Sequence, residues 1–119
     1  NLFNDTTVSS FISYDPILMQ KFEEVIKLSK KLSIDHGTKL YFVYLPISHK
    51  CPNNNSNREK IIVITKNLKI PFIDIKKELL DKHKNLSPLF ALKRCSHYSE
   101  LGYKLIAETI FKKIKYFEN

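Results

Sequence analysis

A chain of 119 residues, 43% of them hydrophobic, is one domain's worth with the composition of an ordinary soluble globular protein, enough to bury a modest core. No apolar run approaches the roughly 18 to 20 residues that span a bilayer, and Asn1-Leu2-Phe3-Asn4-Asp5 has neither the basic start nor the apolar core of a signal peptide. The net charge of +8 is nearly all lysine, with Arg58 and Arg94 the only arginines, so the surface reads as solvated and basic rather than as a nucleic-acid site, which would favour arginine forks and interleaved aromatics.

In chain order, residues Asn1 to Tyr14 are polar with scattered apolar spots and predict an irregular lead-in. Asp15-Pro16 opens a helix, because Asp caps and Pro loses nothing at the first helical position. Leu18, Phe22, Val25, Ile26, Ser29 and Leu32 mark its inward face, and Gly37 supplies a left-handed end. Lys39 to Leu45 is aromatic and β-branched with almost no polar break, the pattern of a strand covered on both faces, and Pro46 ends it. After a loop from Ile47 to Asn57, the capping-box pattern Ser56-Asn57-Arg58-Glu59 starts a second helix. The run Ile61 to Ile64 would also suit a strand, but the cap and the need for a crossover favour helix. Ile70 to Ile75 predicts a second strand, and Asp74 a cap for a third helix from Lys76 to Lys84 with Leu79 and Leu80 inward. Asn85 to Ser96 is a loop around Pro88 with a helical turn at Leu89 to Leu92. The last helix follows Ser99 as N-cap, its apolar face made of Leu101, Leu105, Ile106, Ala107, Ile110, Phe111, Ile114 and Phe117.

The order helix, strand, helix, strand, helix, helix predicts one α/β domain over residues 1–119, a parallel sheet with helices on both faces. Neither an internal repeat nor a second domain is present. Two parallel strands make a poor isolated sheet. Further strands upstream of Asn1, the lead-in, or a homo-oligomer would complete it, and the lack of an initiator Met fits a processed or truncated product.

The stretch His97-Tyr98-Ser99-Glu100-Leu101-Gly102-Tyr103 and on to Ala107-Glu108 resembles the C-terminal signature of the SGNH (GDSL-type) hydrolases. That resemblance implies the C-terminal portion of a flavodoxin-like, three-layer α/β/α domain and an esterase or acyltransferase acting on a small ester or an acylated carbohydrate. It makes His97 the general base, a task suited to an imidazole whose ordinary pKa lies near neutrality. No other residue carries over. The family's nucleophile comes from a Gly-Asp-Ser motif that these residues lack, and Gly37 and Gly102, the only glycines, match none of the oxyanion-hole positions. Where the family places an aspartate shortly before the histidine, this chain has Arg94 and Cys95, leaving Asp74 or Asp81 to substitute in space. The chain alone is therefore expected to be catalytically incomplete, with a non-catalytic basic α/β module meeting an acidic partner as the alternative.

His49-Lys50-Cys51 and Cys95-Ser96-His97 are mirrored pairs on loops. They admit a disulfide in an oxidising compartment, a tetrahedral zinc site with unusually tight spacing, or a Cys51 nucleophile. A Cys51–Cys95 disulfide would mean a periplasmic or secreted protein; reduced thiols would fit the cytoplasm. No cofactor is expected, since no glycine-rich phosphate loop exists.

Overall fold

The computed structural model describes residues 15–48, 57–91 and 97–119. The predicted lead-in, the loop residues His49 to Ser56 and the segment from Leu92 to Ser96 lie outside them. In chain order come α1 (Pro16–Asp35), β1 (Phe42–Tyr44), α2 (Arg58–Asn67), β2 (Phe72–Asp74), α3 (Ile75–Glu78) and α4 (Glu100–Glu118), with 3-10 turns at Leu80–Lys82 and Ser87–Leu89 between the last two helices. The chain is thus of mixed helix and strand.

Local chemistry explains most of the boundaries. The Asp15 carboxylate accepts from the Ile17 amide and caps α1, with Pro16 at its first position. At the other end the amides of Gly37 and Thr38 return to the carbonyls of Ile34 and Ser33, and Gly37 takes the left-handed conformation at φ 64° that this closure needs. The same closure ends α2: the amides of Lys69 and Ile70 return to Lys66 and Thr65, and here a lysine holds φ 54°. The Ser56 end of the expected capping box lies outside the described residues. The N-cap of α2 is Asn57, one residue later than Ser56, and it makes no side-chain cap bond.

β1 and β2 pair in parallel, Phe42 with Phe72, Val43 with Ile73 and Tyr44 with Asp74. Both are three residues long, shorter than the predicted spans, because the ladder runs only as far as this pairing. Alternation along the strands gives the sheet two different faces. Tyr41, Val43, Ile73 and Ile75 lie on the side of α4 and join Leu79, Leu80, Leu89, Phe90, Tyr98 and Ile106 in the core. On the opposite side Phe42 stacks on Phe72 at 5.8 Å, and Phe22 of α1 meets the Phe42 ring edge-on at 6.0 Å.

The two long helices use this sheet unequally. α4 packs Ile106 into the core, with Leu105, Ile110 and Ile114 half-buried beside it. Its end is tied to the start of β1: Phe117 stacks on Tyr41 at 5.9 Å, and the Glu118 carboxylate accepts from both the Tyr41 hydroxyl and the Lys39 ammonium. α1 buries no residue, and Leu18, Val25 and Leu32 of its predicted inward face are 58–66% exposed. Of that face Phe22, Ile26 and Ser29 are half-covered, and the two strands paired among the described residues are too narrow to reach the whole stripe. The same correction applies in small to α4, where Leu101, Ala107, Phe111 and Phe117 are exposed. No helix among the described residues is long and apolar enough to cross a membrane.

Candidate functional site

Both strands of a parallel pair point their carboxyl ends to one edge, the usual place for a ligand in an open α/β sheet. Here that edge is formed by Tyr44 and Asp74, the residues Leu45 to Ser48 that leave β1, and the start of α2 at Arg58. The segment carrying His97 is joined to it.

Three sets of bonds position that segment. Phe90 and Tyr98 form an antiparallel bridge, in which the Ala91 amide donates to the His97 carbonyl at 2.7 Å and the Ser99 amide to the Leu89 carbonyl at 2.9 Å. The Ser99 hydroxyl donates to the Pro88 carbonyl at 2.6 Å while accepting from the Gly102 amide at 3.1 Å, so the expected N-cap also fastens α4 to the preceding turn. The Tyr98 hydroxyl donates to the carbonyl of Pro46, in the loop after β1.

At Gly102, in the first turn of α4, this arrangement leaves no room for a side chain. A Cβ built there would stand 2.3 Å from the Leu89 carbonyl oxygen and 3.2 Å from the Tyr98 ring. Both φ and solvent access are secondary here; the residue must be glycine because another backbone occupies the space.

His97 itself is exposed, on the residue just before the bridge partner Tyr98. Its carbonyl is engaged and its ring faces no carboxylate that the described residues supply. Asp74 is held by the Arg58 guanidinium, with Arg58 Nε at 3.4 Å, and accepts from the Lys77 amide at 3.4 Å as the cap of α3. Asp81 is bound by the Lys76 ammonium at 2.9 Å. Neither is brought to His97 as a third member of a triad.

The Arg58–Asp74 pair is the polar centre of the edge, and the sequence pattern did not reveal it. Asp74 is buried and Arg58 mostly so, and the hydrogen bond to Asp74 holds the guanidinium pKa above its ordinary value. Tyr44 stands near both, its hydroxyl pKa raised mainly by burial. Topology offered the signal: in a parallel β–α–β unit the first residue of the helix and the last residue of the second strand meet at the same edge.

Metal and thiol chemistry at His49, Cys51 and Cys95 falls outside the described residues, among which no group of three or more His, Cys, Asp or Glu converges. A cleft of about 370 Å³ between α3 and α4 is lined by Leu79, Leu105, Thr109 and Tyr116 with lysines around it, and none of its lining belongs to the His97 segment. Comparisons of the chain with protein-family models, with curated proteins and with solved structures return no match.

Proposed function

We propose that this chain supplies the general-base histidine and part of the three-layer α/β/α scaffold of an SGNH-type serine esterase or acyltransferase, acting on a small ester or an O-acylated carbohydrate. The observation that carries this reading is the position of His97: exposed, directly before a helix packed on the sheet, and linked through its neighbour Tyr98 to the loop at the carboxyl edge. The scaffold reading draws support from α4 packing against the Val43–Ile73 face and from Phe22 of α1 meeting Phe42 on the other.

In such a site His97 takes the proton of a serine hydroxyl as the oxygen attacks the acyl carbon, then passes it to the departing alkoxide. The serine and the oxyanion donors come from outside these residues, which contain no Gly-Asp-Ser. With Asp74 and Asp81 engaged elsewhere, a carboxylate partner for the imidazole is also to be supplied from outside the described residues.

Hydrolysis of a small activated acetate ester tests this, measured for the chain and for a longer polypeptide joining it to a segment that carries Gly-Asp-Ser. Turnover in the longer polypeptide that His97→Ala lowers by roughly a thousandfold or more supports the reading. No His97-dependent turnover in either rejects it. That result would favour a non-catalytic interaction module, a second reading that draws on the +8 charge and the uncovered apolar side of α1.

A further inference from the structure

We propose that the Tyr98 hydroxyl is the positioning group that holds the His97 main chain against the carboxyl edge of the sheet, through its hydrogen bond to the Pro46 carbonyl. The inference rests on the reading of His97 as the base only for its functional meaning; the structural claim stands by itself.

The main-chain bridge makes no hydrogen bond to β1 or β2 and reaches the sheet through the packing of Leu89 and Phe90. It ties His97 and Ser99 to residues Leu89 and Ala91, which belong to the turn-rich connection between α3 and α4 rather than to the sheet. A displacement of that connection would carry His97 with it. The bond from Tyr98 reaches across 52 residues of sequence to a carbonyl two positions after the end of β1. Its acceptor is stiff. Pro46 is buried, its ring fixes φ, and lacking an amide it offers the loop only a carbonyl at that point.

The donor is equally committed. The Tyr98 ring is 8% exposed, stacked on Phe90 at 4.7 Å and tilted against Tyr103 at 5.7 Å. A phenylalanine would fill that apolar slot without a polar atom to satisfy, so the phenol is present for its bond. Burial pushes its pKa up to about 12, and the hydroxyl keeps its proton across the neutral range. The ring therefore anchors on the connection and the hydroxyl anchors on the sheet edge, with His97 one residue away.

Amide hydrogen exchange followed by NMR on the chain tests the proposal with Tyr98→Phe and with 4-aminophenylalanine at position 98, which restores a donor at the same place. Tyr98→Phe is expected to melt cooperatively and to keep the exchange rates of Ile106 and Ile110 in α4. The amides of Ala91 and Ser99 should exchange roughly tenfold faster, and the amino variant should recover most of the loss. Unchanged exchange at Ala91 and Ser99 in Tyr98→Phe overturns the proposal, since ring packing then suffices. An equal acceleration throughout α4, loss of the cooperative melt, or no recovery with the amino donor overturns it as well, because the hydroxyl then supports the whole core or acts by another route. In an ester-hydrolysing polypeptide containing this chain, Tyr98→Phe should lower kcat with KM unchanged. Absence of any His97-dependent turnover there counts against the proposed function, whereas the exchange rates decide the positioning role.

Discussion

α1 and α4 are nearly equal in length, 20 and 19 residues, and both carry an apolar side with lysines on the other. α4 has its side fixed by a glycine pressed on a carbonyl, an isoleucine in the core, and a terminal carboxylate holding Tyr41 and Lys39. α1 meets the sheet through the Phe22 ring, keeps Ile26 and Ser29 half-covered, and leaves Ile17, Leu18, Val25, Leu28, Leu32 and Ile34 58–67% exposed. The contrast teaches that helical periodicity specifies which side of a helix is apolar, while the width of the neighbouring sheet decides how much of that side is covered.

The sharpest way to break the α4 side of the comparison is Gly102→Ala. Its Cβ would meet backbone, which cannot rotate away, so a loss of about 3 kcal/mol or more is expected in urea unfolding, with the Ser99 cap disturbed as well. Next comes a matched pair. Ile106→Ala should cost about 2 to 3 kcal/mol, whereas Leu28→Ala in α1 should stay within about 0.5 kcal/mol, because Leu28 is 67% exposed and Ala is a good helix former. Equal losses at the two sites would mean that α1 is covered in solution.

A smaller effect, under about 1 kcal/mol, concerns the ion pair between α3 and α4. Hydrogen bonding to Lys113 holds the Glu78 pKa below its ordinary 4.5, with Lys82 adding to the shift. A carboxylate with a lowered folded pKa contributes fully above its unfolded value and loses that contribution as pH falls through the folded one. Thermal melts should therefore show part of the acid destabilisation beginning below about pH 4.5, and Glu78→Gln should remove that part while lowering the neutral-pH melting temperature slightly.

What the sequence revealed follows the range of the forces involved. Caps are local, so Asp15, Gly37, Asp74 and Ser99 were all legible from their neighbours. The expectation at Ser56 lies outside the described residues, and Asn57 is the residue that precedes α2 among them. The parallel pairing followed from element order. Strand lengths did not, since Leu40 and Leu45 have strand character but no partner in the ladder. At the candidate site, His97 stood out by motif, but the contacts that give it a place span the chain: Tyr98 to Pro46, and Arg58 to Asp74. Such contacts depend on where topology brings distant residues, and pattern along the chain carries no trace of them.

The tie between Tyr41 and Glu118, 77 residues apart, has a bearing on how the molecule is made. During synthesis β1 and β2 emerge before α4, and until then the Val43–Ile73 face can be covered from the C-terminal side only by Leu79, Leu80, Leu89, Phe90 and Tyr98. Contacts of such sequence separation form late, after their loop-closure entropy is met. Until α4 docks, the part of that face that Ile106 covers is open to whatever chaperone or partner is nearby.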